Sequence, residues 1–112
     1  GWLGEKLAAL YLKGKGLEIL EMNRNCPPHG EIDIIGKNGN EIVFIEVKTA
    51  FKTNPNSLDE KVDEKKLKKI SHAIQQYQKE TEQIDDFRID CVSVILQKKK
   101  PIIKHFEGIL LD

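Results

Sequence analysis

The feature that most constrains the fold is a strand-turn-strand pattern in residues 31–49, which read EIDIIGKNGNEIVFIEVKT. Two segments rich in Ile and Val flank the dipeptide Asn38-Gly39, and both of these residues tolerate the positive φ angles of a tight turn. The pattern predicts an antiparallel hairpin in which Lys37 pairs with Asn40. Any fold of this chain therefore has to cover an apolar face of that hairpin.

This register sorts the side chains of the hairpin onto two faces, because neighbouring residues of a strand point to opposite sides. One predicted face is apolar and offers a surface for a helix to cover: Ile32, Ile34, Val43, Ile45 and Val47. The other combines charged side chains with one aromatic ring: Glu31, Asp33, Phe44, Glu46 and Lys48. Asp33 and Glu46 are expected to be diagonal neighbours, with Cβ atoms about 7–8 Å apart.

Three carboxylates and one lysine on the same face have two interpretations. The first is a metal site, because the acids repel one another unless a cation lies among them, and carboxylate oxygens suit Mg²⁺ or Mn²⁺. Lys48 would then orient or help to deprotonate a water molecule and offset charge on an attacked phosphate. The second is a solvated polar face with cross-strand ion pairs, which is common in antiparallel hairpins. Periodicity alone does not decide between them.

The rest of the chain supplies two helices and three further strands. Helical spacing of apolar residues predicts a first helix in residues 3–16 and a second from the capping residue Ser57 to about Thr81. Alternating or apolar segments predict strands at residues 17–23, 87–96 and 101–108. The order helix, three strands, helix, two strands indicates an α/β fold with a mixed sheet. At 112 residues the chain is interpreted as a single domain, residues 1–112.

Composition limits the classes of partner. Lysine and arginine total 18, as do aspartate and glutamate, so the net charge is zero and any attraction to nucleic acid must come from a local patch. The second helix carries the candidate contacts Lys65, Lys66 and Lys69, although its interleaved acids also fit a solvated helix face. Lys66 lies four residues before Ile70, on the apolar side of the helix. No membrane partner is expected, because no apolar segment approaches the roughly 20 residues that span a bilayer.

The cysteines and histidines lack metal-binding spacing. Cys26 and Cys91 are expected to be free thiols, with Cys91 in the core, and such cysteines fit a reducing cytoplasm. Trp2 is expected to anchor the first helix to the core, and a structural role is predicted for Arg88 and Asp90. The histidines are interpreted as structural or surface residues: His29, His72 and His105.

Six blocks of this sequence, in order, resemble one family of small bacterial proteins. The blocks are GWLGEKLAALYLKGKGLEIL, Asn23 in EMNRN, GEIDII, VFIEVKT, VDEKKLKKISHAIQQY and FRIDCVSV, and together they cover nearly the whole chain. They are similar to the YraN family, which is usually described as nuclease-like and whose function is unsettled. More broadly, Asp33 followed by Glu46-Val47-Lys48 resembles the PD-(D/E)xK nuclease superfamily and its Holliday-junction resolvases.

The resemblance implies a restriction-endonuclease-like three-layer fold, in which helices flank a central mixed sheet. It implies that Asp33, Glu46 and the backbone carbonyl of Val47 bind Mg²⁺ or Mn²⁺ and that Lys48 is the catalytic lysine. The implied activity is metal-dependent hydrolysis of phosphodiester bonds in DNA, including branched or repair intermediates. Accessory roles are expected for three residues, two that match family positions and one on the acidic face: Glu5, Lys66 and Glu31.

Two departures from the family pattern favour an alternative. The chain has His29 shortly before Gly-Glu-Ile-Asp and Ala50 after Val-Lys-Thr, where the family usually has arginine. Both departures remove positive charge from the region where a phosphate would lie. The alternative is a non-catalytic nucleic-acid-binding module with the same fold. Many resolvases of this fold are dimers, so a homodimer is compatible with the resemblance, although the sequence contains no decisive interface signal.

Overall fold

The computed structural model describes residues 2–52, 64–83 and 86–109. Its elements follow the predicted order: α1 (Trp2–Gly14), β1 (Glu18–Asn25), β2 (Glu31–Asn38), β3 (Glu41–Phe51), α2 (Glu64–Thr81), β4 (Phe87–Leu96) and β5 (Ile102–Phe106). The predicted helix start at Ser57 lies outside the described residues, whereas the predicted end at Thr81 is confirmed. Neither helix of the described part is long and apolar enough to cross a membrane.

The five strands form one mixed sheet in the order β1-β2-β3-β4-β5. Neighbouring strands are antiparallel except β3 and β4, which run parallel. A parallel pair needs a crossover connection, and α2 lies in the segment that connects these two strands. The α/β fold with a mixed sheet is therefore confirmed.

The sheet separates two apolar clusters, one under each helix. The cluster on the α1 side contains Ala8, Ala9, Leu12, Leu17, Ile34, Val43, Ile45, Val92 and Val94. The cluster on the α2 side contains Cys26, Ile32, Ile35, Ile42, Phe44, Ile70, Ala73, Ile74, Tyr77 and Ile89. Because both faces are covered, β3 and β4 carry long apolar runs rather than a strict alternation. Helix, sheet and helix thus form three layers.

The hairpin turn differs from the sequence prediction. Asn38 pairs with Glu41, so the turn is Gly39-Asn40 rather than Asn38-Gly39. Gly39 adopts a positive φ of 64°, as a tight hairpin turn requires. The register is therefore shifted by two residues from the predicted one. An even shift preserves the alternation of side chains between the two faces.

The predicted faces of the hairpin need two corrections. Phe44, expected beside the acids, is 1% exposed and belongs to the α2-side cluster. Ile32, expected on the same face as Ile34, also packs in the α2-side cluster. The pairing of β2 with β3 reaches only as far as Ile34 and Ile45, so Ile32 lies where the two strands are no longer paired. The hairpin has apolar residues on both faces rather than one apolar and one polar face.

Trp2 and both cysteines were predicted to contact or lie in the core or to be free thiols. Trp2 is 71% exposed, and the ammonium of Lys6 lies 4.5 Å from the centre of its ring. The prediction that Trp2 anchors α1 to the core is wrong, because Ala8, Ala9 and Leu12 make that contact instead. Cys26 and Cys91 are buried free thiols, as predicted.

Candidate functional site

The candidate site lies where β2 and β3 separate. The last pair of their ladder is Ile34 with Ile45, and the next residue on each strand is a carboxylate, Asp33 and Glu46. The N–H of Val47 donates a 2.9 Å hydrogen bond to Oδ2 of Asp33. A side-chain carboxylate thus accepts a backbone N–H at the point where the ladder ends. The sequence predicted that the two carboxylates would be diagonal neighbours. If the observed register continued by one residue beyond Ile34 and Ile45, they would instead lie directly opposite each other.

The surroundings of Asp33 oppose its negative charge. Burial raises the pKa of Asp33, and the charge of Glu46 raises it further, from 3.8 to about 7. The hydrogen bond from Val47 acts in the opposite direction, while a hydrogen bond with Glu46 and the charge of Glu5 add to the increase. A proton shared between two close carboxylates relieves their repulsion, and a metal cation relieves it in the same way. The two carboxylates therefore form a local concentration of negative charge.

Lys66 balances part of this charge from α2. Its Nζ lies 2.7 Å from Oε1 of Glu46, whose side chain is 10% exposed. Burial opposes the charge of Lys66, but the hydrogen bond to Glu46 and the charges of Glu46 and Asp33 outweigh burial and raise the pKa of Lys66. Lys66 reaches the sheet from the predicted side of α2, although its side chain is 45% exposed. One ammonium facing two carboxylates still leaves one negative charge unbalanced within this trio.

Lys48 lies two residues beyond Glu46 and therefore on the same side of β3. It is partly buried and pairs with Ser93 in the parallel ladder with β4, where Glu46 pairs with Cys91. Burial raises the pKa of Cys91, and the charge of Lys48 lowers it, so the ammonium is close to the thiol. Cys91 and Ser93 thus adjoin the site. Sequence analysis missed them, and only the pairing of β3 with β4 would have identified them.

Glu5 approaches the site from α1. The side-chain amide of Asn23 donates a 2.5 Å hydrogen bond to Oε2 of Glu5. Asn23 has a positive φ of 53°, a conformation that asparagine adopts more readily than most residues. The charge of Glu5 contributes to the raised pKa of Asp33, which places it near the site. Asn23 entered the sequence analysis only as part of a family pattern, and the structure gives it a role in orienting Glu5.

Three other predicted residues lie on the surface. Glu31 is exposed at the start of β2, where it pairs with Asn25 of β1, and its side chain forms no hydrogen bond or ion pair with another described residue. Lys65 is exposed near the beginning of α2. Lys69 is also exposed, and its side chain lies beside Gly30, where an added Cβ would be 3.1 Å from Cε of Lys69. An accessory role for Glu31 and nucleic-acid contacts for Lys65 and Lys69 stay predictions.

The donor set at Asp33 and Glu46 suits Mg²⁺ or Mn²⁺. Within residues 2–52, 64–83 and 86–109, no group of three or more His, Cys, Asp or Glu side chains is arranged to hold a metal. Mg²⁺ commonly uses only one or two protein carboxylates and takes its remaining ligands from water and substrate phosphates. The two carboxylates and the carbonyl of Val47 are oxygen donors of this kind. The raised pKa of Asp33 is the physical sign that a cation would be favoured here.

The chain matches other proteins over nearly its whole length. It is 39% identical to a UPF0102 protein of Dehalococcoides mccartyi over 111 residues, which are 98% of this chain and 91% of the relative. It is also 39% identical to a UPF0102 protein of Thermotoga petrophila over 108 residues, 96% of this chain and 93% of the relative. The model of the uncharacterised protein family UPF0102 matches residues 4–94, which include every residue of the candidate site. The chain therefore belongs to the UPF0102 family, in agreement with its resemblance to YraN-like proteins.

Proposed function

We propose that this protein is a divalent-metal-dependent nuclease of the PD-(D/E)xK type that hydrolyses phosphodiester bonds in DNA. The observation that carries the proposal is the pair Asp33 and Glu46 at the end of the β2–β3 ladder, with Lys48 on the same side of β3. Keeping two carboxylates this close costs folding free energy, and such a cost is typical of functional sites. Branched junctions and repair intermediates are the first substrates to test.

In this proposal Asp33, Glu46 and the carbonyl of Val47 hold Mg²⁺ or Mn²⁺. When bound, the ion polarises a phosphoryl oxygen and lowers the pKa of water. Lys48 orients the attacking water by a hydrogen bond and offsets the negative charge that develops on the phosphate. In the absence of the ion, Lys66 holds Glu46 in place through the 2.7 Å contact between Nζ and Oε1.

Replacing Lys48 tests the chemical step. Lys48→Ala is expected to reduce cleavage in Mn²⁺ by at least about 100-fold, because a charged group that stabilises the transition state is lost. Metal binding is expected to remain, since Lys48 is not a ligand. The matched control is Lys79→Ala, an exposed lysine in the last turn of α2, which should cleave at the parent rate. Parent-rate cleavage by Lys48→Ala would remove Lys48 from the mechanism.

Calorimetry tests the metal site without a choice of substrate. Mn²⁺ is titrated into the parent protein and into Asp33→Asn and Glu46→Gln, with and without DNA, because a phosphate supplies ligands that the protein lacks. We expect the parent to bind an ion that both variants lose. A parent protein that binds no Mn²⁺ under either condition would contradict metal dependence.

A second candidate is a non-catalytic nucleic-acid-binding module with the same fold. The observation in its favour is the contact between Lys66 and Glu46, which already neutralises one carboxylate from within the chain. The presence of His29 and Ala50, where the family usually has arginine, also favours it. Affinity for single-stranded, duplex or four-way DNA without turnover in Mn²⁺ would support this candidate over the nuclease.

The proposal extends to location and assembly. Free buried thiols fit a reducing cytoplasm. A four-way junction presents two symmetric strands, which would favour a homodimer with one site for each strand. Sedimentation of the protein with and without a four-way junction tests the dimer.

A further inference from the structure

A second surface feature lies at the carboxyl ends of the parallel strands β3 and β4. It is an open pocket of about 640 Å³, a size within the range of about 300–1,000 Å³ typical of ligand sites. In open α/β sheets, ligands commonly bind at the carboxyl ends of parallel strands. Six residues line the pocket: Phe51, Lys52, Leu96, Gln97, Lys98 and Lys99.

Hydrogen bonds fix the backbone around this pocket. Phe51 and Leu96 are the last pair of the β3–β4 ladder, and the N–H of Lys52 donates a 3.1 Å hydrogen bond to the carbonyl of Leu96. The side-chain amide of Gln97 donates a 2.7 Å hydrogen bond to the carbonyl of Lys100. The strand ends and the turn after β4 are therefore held in place without a ligand.

The lining combines an exposed aromatic ring with three lysines. Phe51 is 62% exposed, although phenylalanine is usually buried. The lysines Lys52, Lys98 and Lys99 form no ion pair with an acidic side chain of the described part of the chain. Because the net charge of the chain is zero, three lysines at one pocket are a local concentration of positive charge. An aromatic ring flanked by lysines is typical of sites where single-stranded nucleic acid stacks its bases.

The pocket and the candidate active site lie at different positions along β3. Phe51 is three residues beyond Lys48, which corresponds to about 10 Å at 3.3 Å per residue. Because this separation is odd, Phe51 faces the α1 side of the sheet, where its ladder partner Leu96 also packs, whereas Lys48 faces the α2 side. A DNA strand that contacts both residues therefore has to pass around the end of β3.

We propose that this pocket binds a single-stranded segment of the DNA substrate that passes around the end of β3. One base stacks on Phe51, and neighbouring phosphates contact Lys52, Lys98 and Lys99. The inference rests on the proposed nuclease function for the position of the cleaved phosphate. The binding itself requires neither a metal nor cleavage.

Fluorescence anisotropy in EDTA tests the stacking contact. The probe is a labelled thymidine oligomer of about 12 nucleotides, a length within the range that one single-strand-binding fold covers. Phe51→Ala is expected to bind it about 5- to 100-fold more weakly, and Phe51→Trp should bind like the parent. The matched control Phe106→Ala removes another exposed aromatic ring, on β5, and should leave affinity unchanged.

An abasic oligomer of equal length separates stacking from charge. Phe51→Ala should bind this oligomer as well as the parent does, because no base remains to stack. Replacing both Lys98 and Lys99 by Gln should reduce the slope of log affinity against log salt by about 1.4, since each lost phosphate contact reduces it by about 0.7. The double control Lys13→Gln/Lys79→Gln, at exposed helix positions, should keep the parent slope.

The outcomes distinguish this inference from the proposed nuclease function. Three results would each overturn the pocket assignment. The parent protein could fail to bind the thymidine oligomer, or Phe51→Ala could bind it as tightly as the parent does. Phe51→Ala could also weaken binding of the abasic oligomer as much as binding of the thymidine oligomer. Equal competition by polyglutamate would also overturn it, because that result indicates attraction to any polyanion. Binding that depends on Phe51, combined with no cleavage in Mn²⁺, would retain the pocket and reject the nuclease.

Discussion

Two inward-facing carboxylates of this sheet, Asp90 on β4 and Asp33 on β2, have opposite surroundings. Asp90 is fully buried, and the chain supplies a partner for each of its oxygens. Oδ1 accepts hydrogen bonds from Nε of Arg88 at 3.0 Å and from the N–H of Gly108 at 2.9 Å. Oδ2 lies 2.7 Å from Nε2 of His105. Asp90 therefore joins β4, β5 and the segment after β5 as a structural group.

Asp33 has one backbone donor, from Val47, and it faces a second carboxylate, Glu46. Lys66 approaches this pair from α2 and contacts Glu46. A chain that surrounds Asp90 with matched partners can clearly build such a network, yet it leaves Asp33 beside a like charge. The surroundings of Asp90 stabilise its charge, whereas those of Asp33 oppose it, and the second arrangement is the one that the proposed metal site requires.

The largest effect on stability is expected from removing the charge of Asp90. Asp90→Asn leaves the guanidinium of Arg88, whose side chain is 21% exposed, without its main partner. Breaking a buried ion pair in this way should reduce the free energy of unfolding by about 3–5 kcal/mol, measured by urea denaturation. The control is Glu107→Gln, an exposed acid 3.7 Å from the same Arg88, which should cost less than about 1 kcal/mol. Equal losses in the two variants would contradict the structural role of Asp90.

Removing the charge of Asp33 is expected to have the opposite sign. Asp33→Asn relieves the repulsion from Glu46, while the amide oxygen still accepts the N–H of Val47. Without metal at about pH 8, the free energy of unfolding should rise by about 1–2 kcal/mol. The control Glu31→Gln, at an exposed acid on the same strand, should change it by less than about 0.5 kcal/mol. Destabilisation by Asp33→Asn would place Asp33 in the same structural class as Asp90.

The stability of the parent protein should also depend on pH through Asp33. The pKa of this carboxyl is raised from 3.8 to about 7, so the folded state binds its proton more tightly than the unfolded state does. The stabilising contribution is complete below about pH 4 and is lost as the pH rises through about 7. Urea denaturation between about pH 5 and 8 should show the stability advantage of Asp33→Asn widening up to about pH 7.5. An advantage that stays constant over this range would contradict the raised pKa.

The contrast between the two carboxylates was only partly predictable from the sequence. Asp33, Glu46 and Lys48 were assigned to one group because strand alternation and a short turn are local features. The predicted register was wrong by two residues, because both Asn38-Gly39 and Gly39-Asn40 satisfy a two-residue turn. The even shift preserved the group, and the side chains of Asp33 and Glu46 share a hydrogen bond.

The side-chain contacts that the sequence did not predict join segments that are distant along the chain. The partners of Asp90 include His105 and Gly108, which follow it by 15 and 18 residues and meet it through the β4–β5 pairing. Cys91 was assigned to the core and is buried there. Its proximity to Glu46, however, follows from the parallel pairing of β3 with β4, two strands that α2 connects. No periodicity within one segment contains that information. Lys66 was the exception, because its position on the apolar side of one helix is a local feature.

Replacing Lys66 is expected to have the smallest effect on stability, but it distinguishes most sharply between the surroundings of Asp33 and those of Asp90. Lys66→Met removes the ammonium from Glu46 while it keeps an unbranched side chain that packs beside the sheet. Without metal, stability should fall by about 1 kcal/mol, because the ion pair between Lys66 and Glu46 is lost. The affinity for Mn²⁺ should nevertheless rise several-fold in calorimetry, since the ion no longer competes with Lys66 for Glu46. Lys65→Met, at the exposed neighbouring position, should change neither quantity.

Opposite changes in stability and Mn²⁺ affinity would show that the ammonium of Lys66 and the metal ion balance the same negative charge, that of Glu46. Parallel losses would show instead that Lys66 supports Glu46 as Arg88 supports Asp90, and the two carboxylate regions would then differ only in degree. The sign of the affinity change therefore decides between a site that is open to a cation and a network that the chain has already closed.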